Sequence, residues 1–221
     1  MNERGNILVI LLLAIILMGL LTMVIGNTQS GNNTIGKEKI SIAMNHVQLF
    51  SNEIAIATDK LINQGISEND IEFSHSKISS DYGTAGGTDS NVEIFHIDGG
   101  QAVYKDPPKG INDKSPWEFT GGTAFPELGD EDSAELIAIL PNVTQEFCDA
   151  INTRLDYDTS IMNPTDTGAC ILNKSDRFRL GNRYNDVSPN KIDETTVKYP
   201  FMEGCLACGD ANHYVKVLIV R

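Results

Sequence analysis

The sequence predicts an α+β fold: a long N-terminal helix, transmembrane half then amphipathic half, packed on an antiparallel β-sheet head with one further helix. Three observations carry this. The run Ile7–Ile25 (ILVILLLAIILMGLLTMVI) contains no charged residue, and as a helix it would extend roughly 28 Å, about the hydrocarbon thickness of a bilayer. From Ile40 onward, apolar residues recur at seven-residue spacing between polar ones. Beyond Ile66 that period disappears, and short apolar runs alternate with Gly, Pro and Asn turn signals. The chain accordingly divides into a leader peptide (1–5), a transmembrane helix (6–25), a Gly/Asn-rich hinge (26–36), an amphipathic helix (37–65) and an α+β extracytoplasmic head (66–221).

The leader is Met-Asn-Glu-Arg-Gly, a short polar segment whose Gly5 lies next to Asn6 and the apolar run. A secretory signal peptide would have a shorter apolar core and a small-x-small cleavage site. Val24-Ile25-Gly26 provides such a site, so removal after Gly26 stays open, as does an uncleaved single-pass anchor. A charged leader ending in glycine, then an apolar helix running into an amphipathic one, resembles the type IV prepilins and pseudopilins. The resemblance covers about the first 64 residues. It implies cleavage between Gly5 and Asn6 by a prepilin peptidase, after which the freed helix becomes the spine of a filament. The family usually has a glutamate at the fifth mature position, where this chain has Ile10, and Asn6 replaces the commoner Phe or Met. A subunit without that carboxylate suits the end of a filament, which implies a minor subunit. Other implied partners are pilin-like subunits and an inner-membrane assembly platform. The implied location is the bacterial inner membrane, with the head in the periplasm or, once assembled, extracellular.

The chain has 221 residues and a net charge of −13, enough length beyond the membrane for one domain with a real core. An acidic head repels nucleic acid, so no nucleic-acid partner is expected. The cysteines Cys148, Cys170, Cys205 and Cys208 form an even set outside the apolar run, which suits an oxidising compartment.

Gly26–Gly36 (GNTQSGNNTIG) reads as a linker or a hinge, because each glycine weakens a helix by about 1 kcal/mol relative to alanine. Helicity is expected to resume at Lys37. Ile40, Val47, Ile54 and Leu61 occupy one heptad position and Ala43, Phe50 and Ala57 another, giving a single apolar stripe that ends near Gly65. The alanines make a poor autonomous coiled coil, and the polar face lacks the basic excess of a membrane-surface helix. The stripe is therefore expected to cover a sheet of the same chain.

Within the head, Asp70–Ser79 shows the partial alternation of an edge strand, and Tyr82–Ser90 reads as a Gly-rich loop. Val92–Ile97, Asp98-Gly99-Gly100 and Gln101–Tyr104 read as a β-hairpin. Lys105–Gly129, with four of the eight prolines, reads as a surface excursion. Ala134–Leu140 is a buried strand or short helix. Asn142 with Gln145 makes a capping box for a helix over Val143–Leu155. Asp156–Tyr199 is turn-rich, and His213–Val220 is a strong terminal strand. Leu140–Leu155 and the ending Val215–Arg221 also loosely resemble uncharacterised bacterial membrane-anchored proteins with pilin-like N-termini, which implies no activity.

Cys205-Leu-Ala-Cys208 has thioredoxin-type spacing, but glycines flank it and a strand follows, where a redox pair needs a helix N-terminus. Zinc could use Cys205, Cys208 and His213 with a further cysteine, yet the chain has a single CxxC. Structural disulfides are the favoured reading. Cys148–Cys205 with Cys170–Cys208 is preferred, because it ties the central helix to the last strand. Cys148–Cys170 with Cys205–Cys208 is the alternative. Each long bridge would add roughly 3–4 kcal/mol on the entropic account. Asp130, Asp132 and Glu135 form a weak Ca²⁺ candidate that lacks the spaced ladder and turn glycine of a dedicated loop; a solvated charged turn is preferred. No nucleophile motif and no phosphate loop occurs. A non-enzymatic structural protein without cofactors is expected.

Overall fold

A computed structural model describes residues 11–18, 31–130, 132–157, 170–192 and 200–221. The chain forms two compact units, Met1–Ser41 and Ile42–Arg221. In the first, residues 11–18 are helical and their side chains exposed. Helix α1 (Gly31–Asn63) begins in this unit and continues through the second. It starts at Gly31, six residues before the expected Lys37, so Gly36 is tolerated inside it.

In the second unit, the α1 stripe is buried at Ala43, Val47, Phe50, Ile54, Ala57 and Leu61, the 3-4 spacing that keeps one side of a helix against a core. Two polar residues share that side and are satisfied there. The Ser51 Oγ and Tyr214 Oη lie 2.8 Å apart, and Thr58 Oγ1 donates to the Ile54 carbonyl. The helix stops where Gly65 adopts a φ of 88°. The Ile66 N–H reaches back to the Leu61 carbonyl and the Gly65 N–H to that of Ile62, which satisfies carbonyls a helix end would otherwise leave orphaned.

The described residues form a five-stranded sheet: β1 (Glu118–Ala124), β2 (Glu135–Val143), β3 (Asn190–Lys191), β4 (Glu203–Cys208) and β5 (Ala211–Ile219), in the order β3-β1-β2-β5-β4. β1–β2, β2–β5 and β5–β4 are antiparallel, whereas β3 runs parallel to β1. Alternation sorts the side chains to two faces. Tyr214, Cys205, Glu203 and Lys216 point to the helical side, where Gln48 Nε2 donates to Glu203 Oε1 and the ring of Phe50 meets that of Trp117 at 5.3 Å. Helix α2 (Gln145–Arg154) packs on the same side, its Phe147 ring 6.3 Å from that of Tyr214. The other face carries Ile137, Ile139, Val215, Val217 and Leu206, buried beneath Phe125, Ile171 and Phe201.

Three features correct the expected fold. Among the described residues there is no single long N-terminal helix with a transmembrane and an amphipathic half; the helix that carries the amphipathic stripe is described over Gly31–Asn63. Among the described residues no helix is long and apolar enough to cross a membrane, since α1 carries Lys37, Glu38, Lys39 and a polar face. The sheet is mixed rather than antiparallel, because the long connection through α2 delivers β3 to the outer edge of β1 in the same direction. The expected edge strand 70–79 and hairpin 92–104 are turns joined by an isolated Glu72–Glu93 bridge. At Gly100 a Cβ would meet the Ile94 carbonyl at 2.6 Å and the Ala57 Cβ at 3.1 Å, so the chain folds against α1 too closely for a hairpin of side chains.

The surface excursion expected over 105–129 instead contains β1, which is buried throughout. Its Gly121-Gly122 pair looks like loop sequence but serves a bulge in the β1–β2 register. A Cβ on Gly121 would lie 2.3 Å from the Arg183 carbonyl. Helix α2 is capped two residues later than expected: Thr144, rather than Asn142, accepts the Phe147 N–H.

Candidate functional site

Gly5 and Asn6, the expected leader junction, lie outside the described residues. Also outside are residues 7–10 and 19–25 of the apolar run, the hinge up to Ser30, Glu131, and residues 158–169 and 193–199 of the turn-rich stretch.

The four cysteines form two crossed bridges, Cys148–Cys205 and Cys170–Cys208, with Cα–Cα distances of 5.3 and 5.5 Å. Cys205 and Cys208 stand three residues apart on β4 and therefore face opposite sides of the sheet. Cys205 reaches Cys148 on α2, and both are fully buried. Cys208 reaches Cys170 on the other face, and both are half-buried. The alternative local Cys205–Cys208 bridge would require the strand to break.

The outer edge of β4 is occupied by side chains. Cys205 N–H donates to Asn152 Oδ1 at 2.8 Å, and Asn152 Nδ2 donates to the Cys205 carbonyl at 3.2 Å. Tyr157 Oη donates to the Glu203 carbonyl at 2.7 Å. Burial pushes the Tyr157 phenol up to about 12, so it remains a donor. A strand edge that would otherwise invite another chain is thereby filled from within.

The Ca²⁺ candidates are not brought together as a cage. Asp132 pairs with Lys191, and Asp130 Oδ1 accepts the Asp132 N–H at 3.1 Å in a local turn. Glu135 is fully buried, with Oε2 accepting the Phe125 N–H at 3.1 Å and Oε1 without a hydrogen-bond partner. Burial raises its carboxyl to about 8. Among the described residues, no group of three or more His, Cys, Asp or Glu is arranged to hold a metal ion.

Sequence reasoning missed a buried polar cluster on the sheet's second face. Tyr82 Oη donates to Glu118 Oε2 at 2.6 Å and accepts the Phe119 N–H at 2.8 Å. Arg177 clamps both oxygens of Glu118, at 2.8 and 2.6 Å, and pairs with Asp81. Burial drives the Tyr82 hydroxyl well above its ordinary range, while the bond to Glu118 raises Arg177. All three guanidinium nitrogens meet carboxylates, so the cluster pins the turn at 80–82 and residue 177 onto β1. The signal for it was Glu118 alternating with Trp117 and Phe119, a charge inside an apolar run.

Of the histidines, His75 stacks on Tyr104 at 4.5 Å, and burial lowers its pKa. His96 lies 3.5 Å from Asp98. His213 is buried on β5 beside the Cys170 sulfur.

Together these features define a disulfide-braced domain with helices on one face of a mixed, mainly antiparallel sheet and ion-paired turns around it. No protein-family model matches the chain, and neither a curated protein nor a solved structure matches it.

Proposed function

We propose that the chain is a structural minor subunit of a type IV pilin-like filament, a pilus or a secretion pseudopilus, held in the inner membrane by Ile7–Ile25 before assembly. The observation that carries this reading is the order of its N-terminus: a charged leader ending at Gly5, a charge-free run, then a helix that continues into the folded domain. A second observation supports it. On the side of α1 away from the core, Ile42, Leu49 and Ile56 are 60, 65 and 68% exposed at seven-residue intervals, a ridge suited to a partner helix. Its assembly partners are other pilin-like subunits, a prepilin peptidase and an inner-membrane platform.

Asn6, standing where the family commonly has Phe or Met, favours a competing reading: a permanently anchored extracytoplasmic interaction domain. N-terminal sequencing of the protein from its host separates the two. Asn6 as first residue supports the filament reading, Met1 supports the permanent anchor, and Asn27 indicates a cleaved signal peptide. A Gly5→Leu variant is expected to keep its leader and fail to assemble; normal assembly of that variant overturns the proposal.

A further inference from the structure

The two bridges differ in their surroundings. Cys148 and Cys205 are fully buried between α2 and β4, out of reach of an external thiolate. Cys170 and Cys208 are half-buried near the Gly209–Asp210 turn. Beside them, on the same sheet face, lies His213, paired with Leu206 across β4–β5. Its Nε2 is 3.9 Å from the Cys170 Sγ, and its Nδ1 accepts the backbone N–H of Asn142 at 3.2 Å. An imidazole that accepts at Nδ1 is neutral and carries its proton on Nε2. That N–H faces the Cys170 sulfur.

We propose that Cys170–Cys208 is a thiol–disulfide exchange site that takes a dithiol reductant, with His213 as the residue that decides which sulfur leaves. The reductant's thiolate attacks the Cys208 Sγ. A bond forms between the two sulfurs, the Cys170–Cys208 bond breaks, and its electron pair departs on the Cys170 Sγ. The Nε2–H of His213 donates to the thiolate formed there, which makes Cys170 the better leaving group. The second thiol of the reductant then attacks its own sulfur in the mixed disulfide and releases Cys208. The reductant becomes a disulfide, two electrons pass to the cysteine pair, and each thiolate takes a proton from solvent. Cys148–Cys205 stays closed throughout and keeps α2 on the sheet. The proposal does not depend on the filament reading.

The test uses the full chain, folded and without denaturant. Dithiothreitol is added, free thiols are blocked with N-ethylmaleimide at intervals, and the modified cysteines are located by peptide mass spectrometry. Cys170 and Cys208 are expected to be labelled well before Cys148 and Cys205. With glutathione, a monothiol that halts at the first step, the adduct is expected on Cys208 and the free thiol on Cys170. His213→Leu is expected to slow opening roughly tenfold and to erase that preference. Should this variant not fold, the position of the adduct in the unaltered chain decides. Glutathione on Cys170, simultaneous opening of both bridges, or no opening in the folded chain each overturns the proposal.

Discussion

Replacing Asn152 with alanine tests whether the edge of β4 is held by one side chain. Asn152 is fully buried, and its carboxamide meets both polar groups of Cys205. In Asn152→Ala the Cys205 N–H and carbonyl lose their partners while α2 still covers them. A buried polar group left unpaired costs about 1–3 kcal/mol, so the pair should cost about 2–6 kcal/mol. The Cys148–Cys205 bridge, closing a separation of 57 residues, keeps the helix from moving away to admit water. Urea unfolding with the disulfides intact should show the midpoint falling at unchanged slope. Hydrogen exchange at the Cys205 amide should rise from near-global protection to local opening. A loss below about 0.5 kcal/mol, the range of ordinary surface substitutions, with the Cys205 amide still protected, would refute the reasoning.

Three further outcomes are expected. Glu135 has its carboxyl raised from 4.5 to about 8, so the folded state holds a proton that the unfolded chain releases. Stability is therefore full below about pH 4.5 as far as this group is concerned and falls by a few kcal/mol as pH rises to about 8. Glu135→Gln should flatten that slope, as read from denaturation midpoints between pH 5 and 9; an unchanged slope contradicts it. Gly121→Ala would place a Cβ 2.3 Å from the Arg183 carbonyl, and overpacking against backbone should cost about 1–3 kcal/mol, lowering Tm by several degrees. Leu49→Glu, on the exposed ridge of α1, should leave stability within about 0.5 kcal/mol while abolishing filament assembly, scored by sheared-filament recovery from the host.

The parts of the fold that declared themselves in the sequence are those in which one period dominates. The α1 stripe from Ala43 to Leu61 is buried as its heptad spacing requires, and His213–Val220 reads as a strand because it is short, rich in valine and isoleucine, and interrupted by Lys216 alone. What misled was glycine. Gly121-Gly122 suggests a loop and Gly99-Gly100 a hairpin turn, yet both pairs mark places where backbone or side chains crowd the chain from elsewhere in the fold. Local sequence reports the missing Cβ but not what occupies its space. The β4 edge was equally illegible: Asn152 inside a helix is an unremarkable residue until Cys205, 53 positions away, lies beside it. The charge of Glu118 was visible, but its partner Arg177 sits 59 residues on, in a stretch with no period to place it.

The placement of Cys205 and Cys208 on opposite sides of one strand has a consequence for biogenesis. Sliding β4 by a single residue against β5 would swap the sides on which the two thiols emerge, leaving each opposite the wrong partner. Oxidation thus acts as a checksum on strand register. Only a chain that has already aligned its last hairpin can close both bonds at once, so a mispaired isomer would mark itself as misassembled.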